Sequence, residues 1–221
     1  MRNHLNILFE DSHIIVCEKP HGTATQSRNI SSADMVSLLK NHIRKTTGTP
    51  DPYLAVIHRL DQPVRGILVF AKTPFAAKEL NKQLTGSGFG KYYRALVSQC
   101  PSAPNGTLED YLVKNGKTNL SSVCDKNIKD AKQARLSYQV IDSENTFFPI
   151  EKEDETELDI ALDTGRHHQI RVQLSHMGCP IVGDSKYNPQ TGQGRKNICL
   201  CAYCLEFCHP KTKKKMVFSL L

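Results

Sequence analysis

The chain has 221 residues, 39% hydrophobic and 23% charged, with 29 Lys and Arg against 22 Asp and Glu, a formal net charge of +7. That is ordinary for a soluble globular protein, long enough for one generous domain or two small ones, and its charge favours a polyanionic partner without naming one. No apolar run approaches the ~20 residues of a membrane helix, and Asn6, Glu10, Asp11 and His13 interrupt the N-terminal stretch too early for a signal peptide. Without a secretory signal, the eight cysteines read as reduced thiols, so the expected location is the cytoplasm.

LNILF and HIIVC, at 5–9 and 13–17, predict two strands joined in a hairpin at Glu10-Asp11-Ser12. Lys19-Pro20-His21-Gly22 opens a polar loop. SSADMVSLLKNHIRK, with apolar residues at 35, 36, 38, 39 and 43 behind a serine cap, predicts an amphipathic helix closing near Gly48. GILVFAK at 66–72 reads as a buried strand. Thr73 then caps a helix whose first residue is Pro74 and whose end is Gly86.

KYYRALV at 91–97, TLEDYLV at 107–113 and ARLSYQVI at 134–141 predict strands, the last by strict alternation. The polar KNGKTNLSSVCDKNIKDAKQ between them reads as a surface excursion. TELDIALDTG leads into HHQIRVQLSHMG, where Ile170, Leu174 and Met177 fall at helical spacing and Thr164 is the expected cap. NICLCAYCLEF and MVFSL predict two closing strands. With no internal repeat and no linker rich in Pro, Gly or Ser, the expectation is one mixed α/β (α+β) domain over 1–221.

Four segments could carry chemistry. In IHRLDQPVRG, at 57–66, Asp61 stands among Arg59 and Arg65. A carboxylate in a site for a polyanion needs cations to stay ionised, yet Asp ahead of a proline is also a common turn residue. In TGRHHQIRVQLSHMGCPIVGDSKYN, Arg166, His168 and Arg171 gather near a helix start, a phosphate site or a solvated basic face. Lys91-Tyr92-Tyr93 opens a strand with rings able to stack on a base or fill a core. CLCAYCLEFCH clusters cysteines, but paired C-x-x-C knuckles at the usual separation are missing, and alternation suits a strand. No metal is assigned.

In this order, the segments resemble the RluA family of RNA pseudouridine synthases. The family's His-Arg-Leu-Asp-x-x-Thr-Ser-Gly, followed by an aliphatic strand and Ala-Lys, reads here HRLDQPVRGILVFAK. Its Gly-Arg-Thr-His-Gln-Ile-Arg-Val-His-Leu, then Gly-His-Pro and Gly-Asp, reads GRHHQIRVQL, GCP and VGD. KPHG, KYYRALV and LCA match three shorter motifs. The likeness runs from about residue 5 to the C-terminus.

The resemblance implies the pseudouridine synthase fold, a long, mostly antiparallel mixed sheet flanked by helices and loops, with an RNA cleft across it and Asp61 at its middle. It implies Asp61 as catalytic aspartate, Tyr93 as the tyrosine packing on the target base, and Arg166 as the arginine that pairs with the aspartate. Arg59 matches the arginine that displaces the base from its stack. His58, Lys91 and Arg171 carry over as loop-orienting or phosphate-contacting residues, and Arg65 and His168 join the candidate substrate contacts. The implied activity is isomerisation of uridine to pseudouridine in structured ribosomal or transfer RNA, with no cofactor and a monomer by default. The N-terminal RNA-binding domain of many relatives is not expected here. Val64-Arg65 in place of Thr-Ser, His167 in place of Thr and Gln173 in place of His depart from the pattern. The first of these motivates a rival reading, an RNA-binding protein without turnover.

Overall fold

The computed structural model describes residues 5–27, 33–86, 88–188 and 195–221. They form an α+β protein with two compact units, one of residues 1–90 and 202–221 and the other of residues 91–201.

In the first unit, β1 (Asn6–Glu10) and β2 (Ile14–Lys19) form the expected antiparallel hairpin. Asp11 makes the turn: its Oδ1 accepts from the backbone N–H groups of His13 (2.7 Å) and Ile14 (2.8 Å). β2 pairs antiparallel with β4 (Arg65–Ala71), and the short β3 (Ala55–Val56) also pairs with β4. On the other side of β4 comes β10 (Leu200–Cys208), which carries β11 (Lys215–Ser219) antiparallel. β4 is buried along nearly its whole length, as its unbroken apolar run requires.

Two helices belong to this unit. α1 (Met35–Thr47) buries Met35, Leu39 and Ile43 and ends at Gly48 in the left-handed region (φ 74°). Its cap is Asp34 rather than serine: Asp34 Oδ1 accepts from Ser37 N (2.7 Å), while Ser37 Oγ accepts from Asp34 N (3.0 Å). Ser31 and Ser32 lie outside the described residues. α2 (Pro74–Thr85) begins as expected, with Thr73 Oγ1 accepting from Ala76 N at 3.1 Å. The core joins Ile14 and Val16 of β2, Ile67 and Val69 of β4, Ala76 and Leu80 of α2, Phe89, and Leu205 and Phe207 of β10.

The second unit orders its strands β5-β9-β8-β6-β7, all antiparallel: β5 (Phe89–Val97), β9 (Thr156–Leu162), β8 (Lys132–Val140), β6 (Asn105–Asn115) and β7 (Leu120–Cys124). β7 corrects the expected surface excursion. Ser121 and Ser122 hide its alternation, and its stability comes from backbone pairing with β6 and from Val123 packing beside Leu112, Ala134, Val172 and Tyr187. The Asn115-Gly116 pair was the hairpin signal; Asn115 Oδ1 accepts from Lys117 N (2.9 Å) and Thr118 N (3.3 Å).

The helix of this unit, α3 (Gln169–His176), is nearly all buried. Thr164 does not cap it. The threonine hydroxyl donates to Gln169 Oε1 (2.7 Å), and His168 takes the cap position at φ 54° without a side-chain cap bond. Gly178 (φ 86°) and Gly183 (φ 77°) make the following turns.

Gly66 is the position in β4 that admits no side chain. A Cβ there would lie 2.5 Å from both Cβ and O of Ala202, at a φ of 149°. Gly66→Ala is therefore expected to cost at least about 3 kcal/mol of unfolding free energy. Urea titration checks this against Gly116→Ala, whose Cβ would meet nothing within 4 Å.

Candidate active site

The segment leading into β4 is pinned by three buried apolar residues. Ile57, Leu60 and Val64 are buried, which leaves Asp61 half-buried between them and Arg59 exposed. Val64, the departure from the motif's threonine, is thus a packing residue at 2% exposure. A turn closes through Val64 N donating to Asp61 O (3.0 Å).

That turn is stapled to the loop after β2. Gly22 N donates to Gln62 O (3.0 Å), Gln62 Nε2 donates to Gly22 O (3.0 Å), and His21 Nδ1 meets Pro63 O at 2.8 Å. Thr25 Oγ1 bonds both N (3.2 Å) and O (3.1 Å) of Leu60. At the centre is Lys19, fully buried, whose Nζ donates to the carbonyls of Pro20 (3.1 Å), Thr23 (2.7 Å) and Gln62 (2.9 Å). Burial pushes its pKa down from the ordinary 10.5 to about 8, against an upward pull from the Asp61 carboxylate. Within KPHG, nothing local marks this lysine for a role. It supplies a cation to Asp61 from within the same unit.

The other candidates of this unit have partners of their own within it. Arg65 Nε donates to Glu18 Oε1, so the extra cation behind Asp61 already has a carboxylate partner. His58 packs edge-on to Phe89 (5.4 Å between ring centroids), and its Nε2 accepts from Val69 N at 3.4 Å.

In the second unit, Lys91 and Tyr93 lie two apart on β5 and so share a face. Lys91 Nζ sits 3.6 Å from where a Cβ of Gly165 would be, beside Arg166. Burial pushes the Lys91 pKa down; Asp163 pulls it up and the Arg166 guanidinium lowers it further. Tyr93 is buried opposite Ile160 of β9. Arg166 is exposed, and its Nε donates to Gln133 O (2.8 Å).

Gln169 holds the Arg166 loop and was missed as a site residue. Its Oε1 accepts from Arg166 N (3.0 Å) and Thr164 Oγ1 (2.7 Å), and its Nε2 donates to Arg135 O (3.0 Å). Its retention in GRHHQIR was the available signal.

Arg171, expected to orient the loop or contact phosphate, and His168, expected among the substrate contacts, both lie in the interior. Arg171 is buried in a bidentate pair with Asp184, Nε to Oδ2 and Nη2 to Oδ1 both at 2.7 Å, with side-chain exposures of 4% and 0%. It also lies 5.2 Å from the Tyr187 ring centroid. His168 is buried too, stacked on His167 at 3.8 Å and bonded through Nδ1 to the Tyr187 hydroxyl (2.9 Å). The same hydroxyl accepts from Ser121 N (2.8 Å), and Ser121 Oγ meets His167 Nδ1 at 2.8 Å. These groups form a bonded frame behind the Arg166 loop. Among the described residues no group of three or more His, Cys, Asp or Glu could hold a metal ion.

Arg171→Ala would strand the Asp184 carboxylate in the interior. The expected loss is about 3–5 kcal/mol of stability by chemical denaturation, against less than about 0.5 kcal/mol for the exposed Arg59→Ala.

Lys19 gives a pH signature. Its folded pKa lies below its unfolded one, so between about 8 and 10.5 the unfolded chain binds more protons and this group makes stability rise with pH. The unfolding free energy of the protein, relative to Lys19→Met, should therefore climb as pH is raised from about 7 to about 10. A difference flat in pH would remove the buried ammonium from the account.

The family model described as RNA pseudouridylate synthase matches residues 13–176. The chain is similar to the "Dual-specificity RNA pseudouridine synthase RluA" of Haemophilus influenzae, 30% identical over 98% of this chain and 92% of the relative. It is also similar to an "Uncharacterized RNA pseudouridine synthase" of Helicobacter pylori strain J99, 30% identical over 98% of this chain and 66% of the relative. The chain thus spans about two-thirds of the length of several of these curated relatives. Among solved structures, "Human RNA Pseudouridylate Synthase Domain Containing 4" shares the fold, with a TM-score of 0.77 at 21% identity, covering 98% of this chain and 88% of the other. With its motifs retained in order and the matching model covering most of its length, the chain belongs to the RNA pseudouridylate synthase family.

Proposed function

We propose that the protein isomerises uridines of structured RNA to pseudouridine. The observation that carries this reading is Asp61: a half-buried carboxylate on a turn held rigid by Lys19, Gly22 and Thr25, with a desolvated ammonium close by. A carboxylate in that setting meets reacting atoms in a fixed position instead of a solvated one.

The chemistry asked of it is an internal rearrangement. The N1–C1′ bond breaks, the uracil rotates, C1′ rejoins through C5, and a proton lost from C5 is balanced by one gained at N1. No electron is gained or lost overall, so the reaction needs neither oxidant nor reductant. Asp61 is assigned the direct role at sugar or base. Tyr93 is assigned to pack on the extruded base and Arg166 to balance the charge of the carboxylate. Extrusion costs a few kcal/mol, which the net charge of +7 helps offset through phosphate contacts. Arg59, exposed beside Asp61, is the proposed base-displacing side chain.

Ribosomal or transfer RNA is the proposed substrate class, supported by the names of relatives, among them the "Ribosomal large subunit pseudouridine synthase D" of Nitrosomonas europaea, 32% identical over 97% of this chain and 61% of the relative. A reducing, cytoplasmic setting and a monomeric state complete the proposal; the cysteines, all free thiols, suit the first.

Asp61→Asn keeps the shape of the side chain and removes its charge. It is expected to lower pseudouridine formation by more than about 10³-fold while leaving a folded circular dichroism spectrum, with a melting temperature somewhat below the parent's because Lys19 loses its counter-charge. Maps of pseudouridine in cellular RNA, with and without the protein, would read the loss and name the target. Full turnover by the Asn variant would overturn the assignment.

A further inference from the structure

A groove of about 320 Å³ opens in the second unit with Arg166 on its rim, and the reaction just proposed gives the rest of its lining no role. Strand register explains how it forms. Leu112 of β6 lies opposite Val123 of β7 and Lys132 of β8, and Lys114, two residues further along β6, lies opposite Ser121. Residues directly opposite one another, or two apart, share a face, so Leu112, Lys114, Ser121 and Lys132 all point the same way. α3 covers part of that face, through Val172 against Leu112 and Ala134. The loop before α3 reaches the rest: His167 Nδ1 bonds Ser121 Oγ at 2.8 Å, which brings Gly165 and Arg166 to the groove wall.

The lining has one chemical character. Its base is apolar at Leu112, and its rim carries Lys114, Lys132 and Arg166 against a single carboxylate, Asp130. Among the described residues, neither lysine has an ion-pair partner. Their neighbour Arg135 differs, being held by Glu109 (2.8 Å) and Asp163 (3.6 Å). From strand spacing and rise, the Cα atoms of Lys114 and Lys132 are about 8 Å apart, close to the separation of successive phosphates along a single strand. Two flexible side chains with unpaired ammonium groups, rooted at that Cα spacing beside an apolar floor at Leu112, suit a sugar–phosphate segment with its nucleobase laid against the floor.

We infer that this groove binds an unpaired nucleotide of the substrate RNA, with Lys114 and Lys132 on its phosphates. The inference rests on the proposed function for what the RNA is, and adds a place on the second unit where part of it is held. His167, which stands where the family motif has threonine, closes one end of the groove through Ser121.

The test is equilibrium binding of a short single-stranded oligouridylate at several salt concentrations. Lys114→Ala/Lys132→Ala is compared with Lys78→Ala/Lys82→Ala, a pair of equal charge on exposed positions of α2. Removing two phosphate contacts should flatten the log–log salt dependence by about 1.4 and weaken binding roughly tenfold, with less than about twofold from the α2 pair. Equal losses from both pairs, no loss from either, or no measurable binding by the parent would overturn the groove. If the difference between pairs appears but the protein makes no pseudouridine in any cellular RNA, the isomerase reading falls and the groove stands. If pseudouridine forms in an Asp61-dependent way and the two pairs behave alike, the groove falls alone.

Discussion

One buried ammonium organises the region around the candidate aspartate. Lys19 has no exposed surface, and its three carbonyl acceptors come from two loops, residues 20–23 and the turn at Gln62. Carbonyl dipoles compensate only part of the lost hydration, which is why its pKa falls, and the Asp61 carboxylate supplies the remaining attraction. The interaction works in both directions: the lysine makes the Asp61 turn rigid, and the carboxylate makes a buried lysine tolerable. Pro63 and Gly22 fit this arrangement, since their backbone groups are already spoken for in the staple.

The cations of the chain divide by what burial makes of them. Arg171 is taken up by Asp184, Arg94 by Glu157 and Arg65 by Glu18, so each supports the fold before it can meet a ligand. Planar guanidinium groups suit such sites because they pair with carboxylates in two parallel bonds. Arg59, Arg166, Lys114 and Lys132 are exposed. A polyanion would meet this second set, while the first determines where that set stands. Net charge alone hides the division, since every one of these residues counts equally in it.

The two histidines before α3 show how a departure from a motif is absorbed. A threonine could not stack, but His167 lies on His168 at 3.8 Å and reaches Ser121, tying the Arg166 loop to β7. Tyr187 completes the circuit by bonding both His168 and the backbone of Ser121. The Val64 and Arg65 departures are absorbed as well, one by the core and one by Glu18. None of these changes alters Asp61, Tyr93 or Arg166.

What the amino-acid order determined by itself was local. The Asp11 turn, the Thr73-Pro74 start of α2, the Gly48 stop of α1 and the buried run of β4 each follow from residues a few positions apart, because capping, turn geometry and hydrophobic period act at that range. The motifs also named the candidate site residues. Tertiary structure decided which charges are available: Arg65 meets Glu18 from 47 residues away, Lys19 meets Gln62 from 43, and Arg171 meets Asp184 from 13. It decided β7 too, whose polar sequence becomes a strand only when β6 offers its edge and α3 covers Val123. Desolvation and ion pairing depend on neighbours brought from distant parts of the chain, and a linear pattern does not carry that information.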